Sequence, residues 1–219
     1  DTITGEGGGF GVAMASGDFN ADGRMDLAVG AYGYSSNAGS AYIFYQDGAY
    51  PTTTRSADVI IAGESSSYFG ISLTVGDFNA DGKTDLVVGA YGYSSFTGRA
   101  YLFYQDGAYP TGAASADVII TGQTTSNFFG ASFAAGDFNV DGKIDLVVGA
   151  YGYSTNTGRA YLFYNDGSYP TGAASADVII TGEATNNYFG ASFAAGDFNN
   201  DGKTDLVVGA YGYASNTGK

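Results

Sequence analysis

Asp18, Asn20, Asp22 and Asp26 stand within nine residues of one another in the string GDFNADGRMDLAVGAYG (17–33), and close copies recur at 76–92, 136–152 and 196–212. Written out, the pattern is D-x-N-x-D-G-x-x-D. Hard oxygen donors at positions 1, 3 and 5, with glycine at 6 for a sharp turn, are what a loop needs to wrap around Ca²⁺. Position 7 is basic in every copy and can offer a cation only its backbone carbonyl; position 9 adds another carboxylate. The candidate ligands are therefore Asp18, Asn20, Asp22, Arg24 and Asp26 in the first copy and Asp77, Asn79, Asp81, Lys83 and Asp85 in the second. The third copy offers Asp137, Asn139, Asp141, Lys143 and Asp145, and the fourth Asp197, Asn199, Asp201, Lys203 and Asp205. The expected cofactor is Ca²⁺, about four ions at one per repeat.

Rival chemistries fit less well. An EF-hand requires a bidentate Glu at position 12 and flanking helices, but position 12 here is Val29, Val88, Val148 or Val208 inside an apolar run. The loop is thus EF-like but carried on a β-hairpin. A metal-free hairpin rich in Asx turns would leave three like charges packed closely, and these repel unless a cation sits among them. A carboxylate pair for glycoside hydrolysis is disfavoured because four near-identical loops look like a structural part. Mg²⁺ prefers few protein ligands and many waters.

The charge distribution points the same way. Net charge is −14, which argues against nucleic acid, where binding rests on neutralising phosphates with Lys and Arg. Twelve of the 22 acidic residues lie in the four stretches, and without them the chain would sit at about −2. There is no Cys and no His, which removes disulfides, thiolate nucleophiles and the commonest neutral-pH acid–base. No apolar run approaches the roughly 18 residues that cross a bilayer, so no membrane insertion is expected in this segment. No signal segment opens the chain, and a start at Asp1 reads as a processed chain or a fragment.

The elements that must position these loops follow from the repeat. The leading aspartates Asp18, Asp77, Asp137 and Asp197 recur about every 60 residues, a period long enough for one supersecondary unit. Only five of 31 positions differ between 129–159 and 189–219. Each unit reads as four strands: ASFAAGDF (131–138), DLVVGAY (145–151), RAYLFY (159–164) and ADVIITG (176–182). β-Branched and aromatic residues dominate the last three, Gly, Asn, Asp and Ser fill the connections, and no segment carries a sustained helical period. DLVVGAY and AYLFY lack the alternation of a sheet with one wet face. Two-sided burial fits stacked sheets repeated radially, so the expected class is all-β, a β-propeller of four-stranded antiparallel blades with the small-residue first strand innermost. A β-solenoid is the rival, and its usual repeat is shorter.

These residues resemble the FG-GAP repeat, the blade unit of integrin α-subunit propellers and related bacterial and fungal surface proteins. Phe-Gly precedes the first strand at 10–11, 69–70, 129–130 and 189–190, the acidic loop follows, and Gly-Ala comes next at 30–31, 89–90, 149–150 and 209–210. The family's Gly-Ala-Pro is Gly-Ala-Tyr here (Tyr32, Tyr91, Tyr151, Tyr211). The resemblance covers essentially the whole chain. It implies a seven-bladed propeller with Ca²⁺ loops on one rim and ligand contacts on the opposite face. This chain would supply about three and a half blades: an orphan outer strand and loop at 1–9, blade 1 at 10–68, blade 2 at 69–128, blade 3 at 129–188, and half of blade 4 at 189–219. It reads best as a window on a longer array, ahead of a dimer of half-rings, or of a compact four-bladed ring or a ring shared between molecules in which the N-terminal strand helps complete the last blade.

The expected function is a non-enzymatic, calcium-stabilised extracellular or cell-surface adhesion module that takes a protein or glycan ligand. A lectin-like propeller is one alternative, in which Tyr34, Tyr93, Tyr153 and Tyr213 form a ligand face beside Ser, Asn and Thr; the same tyrosines could instead pack the blades. A structural subunit of an array or filament, self-associating through open blade edges, is the other.

Overall fold

The computed structural model describes residues 2–219; Asp1, the first residue of the expected orphan strand, lies outside them. Three sheets of four antiparallel strands follow one another along the chain, each in simple sequential order. The first holds β1 (Met14–Gly17), β2 (Asp26–Ala31), β3 (Ser40–Phe44) and β4 (Val59–Ala62). The second holds β5 (Leu73–Gly76), β6 (Asp85–Ala90), β7 (Arg99–Phe103) and β8 (Val118–Thr121). The third holds β9 (Phe133–Gly136), β10 (Asp145–Ala150), β11 (Arg159–Phe163) and β12 (Val178–Thr181). A hairpin of β13 (Phe189–Gly196) and β14 (Asp205–Ala210) ends the described chain. This is the architecture of propeller blades, with successive first strands (β1, β5, β9, β13) lying side by side.

Burial explains the missing alternation. All six residues of β6 and of β10 are buried, because each sheet is covered on both faces by its neighbours. Leu86 and Val88 pack with Ile43 and Ile61 of the first sheet, while Val87 and Leu102 pack with Leu146 and Val148 of the third. Each fully buried side chain of this size contributes about 1.5–3 kcal/mol, so the central strands are apolar on both sides by necessity.

Two features differ from the sequence expectation. Three of the four first strands, β1, β5 and β9, are shorter, and in β9 the expected end residues Asp137 and Phe138 turn out of the sheet into the acidic loop. The second strands stop at alanine, and the chain then makes a single left-handed turn rather than an open loop: Ser94 sits at φ 47°, ψ 66° and Ser95 at φ 58°, ψ 44°. A left-handed turn costs about 1–2 kcal/mol per non-glycine residue. The segment that follows β8 supplies the offset, since Ser126 N–H donates to Ser95 C=O at 3.1 Å, Phe128 N–H to Phe96 C=O at 2.9 Å and Gly122 N–H to Gly98 C=O at 3.0 Å. The same turn recurs at Tyr34–Asn37 and Tyr153–Asn156.

The Phe-Gly and Gly-Ala glycines meet between blades. A methyl group on Gly30 would collide with the carbonyl of Gly70, and one on Gly89 with that of Gly130. Residues 2–5 join the array in the same manner: Thr4 pairs in parallel with Thr53 as Ala62 pairs with Gly112 and Thr121 with Gly172.

Candidate metal centre

Each acidic loop spans the turn from a first strand to a second. Its shape is set by carboxylates that bind its own backbone. Asp77 Oδ1 accepts from Asp81 N–H at 3.0 Å and Oδ2 from Gly82 N–H at 2.8 Å; Asn79 Oδ1 accepts from Asp81 N–H and Asp81 Oδ1 from Lys83 N–H. Asp18, Asp137 and Asp197 repeat the pattern at positions 1, 5 and 6. Gly202 N–H, foremost among such donors, holds the Asp197 carboxyl below its usual range. The chain passes through left-handed φ at positions 4 and 6, here Ala80 (60°) and Gly82 (84°).

The ninth position is different in kind. Asp26, Asp85 and Asp145 are buried, at 1%, 0% and 0% exposure, and each carboxylate joins three chain segments. Asp85 Oδ2 accepts from Phe78 N–H at 2.8 Å inside the loop, while Oδ1 accepts from Gln105 N–H at 2.9 Å just past β7. Asp26 does the same with Phe19 and Gln46, and Asp145 with Phe138 and Asn165. Burial pushes the Asp85 carboxyl up to about 6 against the pull of these two hydrogen bonds, and burial also raises Asp145.

The basic side chains of position 7 reach the end of the third strand, and Lys83 Nζ also lies 4.0 Å from Asp81 Oδ2. Arg24 donates to Gln46 C=O at 2.9 Å, Lys83 to Gln105 C=O at 2.9 Å and Lys143 to Asn165 C=O at 3.1 Å. Their backbone carbonyls are thereby left to the loop. In the fourth copy Asp205 is half-buried and accepts from Phe198 N–H at 3.0 Å.

Among the described residues, no group of three or more acidic side chains converges as a metal cage. The carboxylates are turned to backbone N–H groups instead. The donor set nevertheless fits a hard cation: every donor is an oxygen, an oxygen accepting one N–H keeps a free lone pair, and the buried Asp85 carboxylate has a raised pKa that a cation would reverse.

The tyrosines expected at the ligand face lie at the opposite end of the second strands. The Arg99 guanidinium covers the Tyr93 ring at 3.5 Å from its centroid, Arg159 covers Tyr153 at 3.5 Å, and Lys219 lies 4.9 Å from the Tyr213 centroid. Tyr34 packs edge-on against Tyr42. Arg99 is held by Glu64 at 2.9 Å and by Thr121, and Glu64 also accepts from Tyr101. Gln123 replaces Glu64 in the next blade, taking Arg159 at 2.7 Å and Tyr161 at 2.9 Å. One ring face of Tyr93 and Tyr153 is therefore occupied by a cation of the same chain. Neither this inter-blade network nor the clamp by Gln46, Gln105 and Asn165 was anticipated from sequence. The recurring TGR and (A/T)G(E/Q) strings were the available signal for the first; the second runs through backbone groups, which leave no residue signature.

Comparison with known proteins agrees with the repeat. A family model described as FG-GAP repeat matches residues 10–44 and 69–103, and one described as FG-GAP-like repeat matches 137–208. The chain is 34% identical to human integrin alpha-IIb over 217 residues, covering 93% of this chain and 20% of that protein. It is 33% identical to bovine phosphatidylinositol-glycan-specific phospholipase D, covering 92% and 26%. It is 28% identical to integrin alpha pat-2 of Caenorhabditis briggsae, covering 92% and 18%. The chain thus spans about a quarter or less of the curated relatives it matches.

Proposed function

The chain belongs to the FG-GAP repeat family, and from that premise we propose that it is a non-enzymatic, calcium-stabilised extracellular interaction module. The observation that carries the reading is the repeated five-oxygen loop with a buried carboxylate at its ninth position. Asp85, Asp77, Asn79, Asp81 and the Lys83 carbonyl would hold the ion in blade 2, and the equivalent residues would hold it in the others. The ion supplies charge: it neutralises carboxylates that otherwise repel, and four ions would move the net charge from −14 to about −6.

Comparable similarity to an integrin chain and to a phospholipase supports a shared scaffold rather than a shared reaction. The described loops carry no catalytic arrangement, which favours a binding role. The extracellular setting is part of the proposal: extracellular modules hold Ca²⁺ at a Kd of about 10⁻⁴–10⁻³ M, and millimolar calcium would occupy such loops. At about ten times Kd each loop would gain about 1.4 kcal/mol of stability from the bound ion.

The test is thermal unfolding with millimolar Ca²⁺ and with excess chelator, paired with calorimetric titration of Ca²⁺. A Tm that drops on chelation, with about one ion bound per acidic loop, supports the reading. An unchanged Tm and no binding heat would remove it.

A further inference from the structure

The Gly-Ala-Tyr tyrosines do not stand alone. Each packs against the aromatic residue that precedes Phe-Gly, so Tyr32, Tyr68, Tyr91, Phe128, Tyr151, Tyr188 and Tyr211 form one continuous row of rings across the blades. The row is half-exposed, with Tyr211 at 56%. Rings stacked on one another cover each other's faces. They are poor platforms for a sugar face but well placed for chemistry between neighbours.

Geometry separates the contacts. Tyr68 and Tyr91, either side of the Phe69-Gly70 pair, lie nearly parallel, with centroids 5.2 Å apart and planes at 17°; Tyr188 and Tyr211 are closer, at 4.6 Å and 12°. Phe128 on Tyr151 repeats the stack at 4.9 Å and 12°, but one ring lacks a hydroxyl. The corresponding position before Phe10 is Gly9. The alternate contacts along the row are looser: Tyr32–Tyr68 and Tyr151–Tyr188 are both at 6.2 Å, and Tyr91–Phe128 is at 5.7 Å with planes at 60°. Tyr34 meets Tyr42 edge-on at 77°.

We propose that Tyr68–Tyr91 and Tyr188–Tyr211 are sites of intramolecular dityrosine formation. The oxidant class is hydrogen peroxide acting through a haem peroxidase. Each phenol gives up one electron and one proton, and the two electrons and two protons reduce one peroxide to two waters. The two phenoxyl radicals then join through a carbon ortho to each hydroxyl. The hydrogens on those carbons move to the oxygens, leaving a biphenol with two hydrogens fewer than the starting pair. In blade 2 the new bond closes the hairpin of β5 and β6 at the end opposite its acidic loop. The rigid stack holds the partners together before oxidation, so coupling competes with diffusion to other molecules.

The experiment is peroxidase treatment of dilute folded protein, followed by isolation of the monomer and peptide mapping by mass. The expected result is monomer lighter by two hydrogens per link, with biphenol fluorescence and linked peptides joining 68 to 91 and 188 to 211. Tyr91→Phe should lose the first link and keep the second. Phe128→Tyr should gain a third link, 128 to 151, which no role in stability alone would produce. Links scattered among other tyrosines such as Tyr34 and Tyr42, or monomer of unchanged mass while free tyrosine couples in the same reaction, would overturn the proposal.

Discussion

Asp85 and Lys83 grip opposite sides of the same residue: Asp85 Oδ1 accepts from Gln105 N–H at 2.9 Å, and Lys83 Nζ donates to Gln105 C=O at 2.9 Å. The acidic loop between β5 and β6 is thereby fastened to the end of β7, and Arg24/Asp26 on Gln46 and Lys143/Asp145 on Asn165 repeat the grip. The loop is part of the blade rather than an appendage, so events at the loop are felt by the sheet.

Asp85→Asn is expected to destabilise the fold by about 2 kcal/mol. The amide keeps one oxygen acceptor, and its NH₂ must face a backbone N–H in a buried place. Asp205→Asn, at a half-buried position, should cost less than about 1 kcal/mol. Urea unfolding of the two variants in chelator compares them directly.

Lys83→Met removes the other half of the grip. The Lys83 side chain is 41% exposed, so water replaces part of what is lost and the cost should be about 1 kcal/mol. Hydrogen exchange discriminates the two halves: the Gln105 amide should stay protected in Lys83→Met and lose protection in Asp85→Asn.

Gly89→Ala is expected to cost about 3 kcal/mol or to prevent folding, because its methyl would meet the Gly130 carbonyl of the neighbouring blade. Gly82→Ala is the contrast. It has open space around it but sits at φ 84°, so only backbone strain of about 1–2 kcal/mol applies. Equal losses in the two variants, by thermal or urea unfolding, would contradict the close approach of the blades.

Val140 occupies the left-handed position 4 of its loop at φ 62°, where a β-branched side chain is strained, and it is 58% exposed. The corresponding residue in the next copy is Asn200 at φ 64°. Val140→Asn should therefore stabilise the protein by about 0.5–1 kcal/mol, read as a higher urea midpoint with an unchanged slope.

Glu64→Gln should be nearly neutral, within about 0.5 kcal/mol, since Gln123 already does the same work for Arg159 and Tyr161. Glu64→Ala removes the acceptor for both Arg99 and Tyr101 and should cost about 2 kcal/mol. Thermal unfolding of the pair checks whether geometry or charge matters at this joint.

Much of the molecule could be read from residues alone, because a near-perfect repeat shows each constraint several times. The 60-residue period, the unalternating DLVVGA strands and the Phe-Gly and Gly-Ala pairs together determine a radially stacked all-β fold. Local composition also determines the loop, since Asp and Asn at alternate positions before glycine make the same turns wherever they occur. Three things depended on tertiary structure. The left-handed turns through Ser94–Ser95 are unfavourable on their own and exist because the segment after β8, about 30 residues further on, donates its amides to them. The loop's attachment to Gln105 passes through a backbone N–H and C=O, which any residue could provide. Tyr93 and Tyr153 have one ring face capped by Arg99 and Arg159, and a separate set of tyrosines stacks into a row in which residues about 20 to 40 positions apart meet only when the sheets pack. Sequence could name the side chains; which surfaces they spend on one another was decided by the packing of the blades.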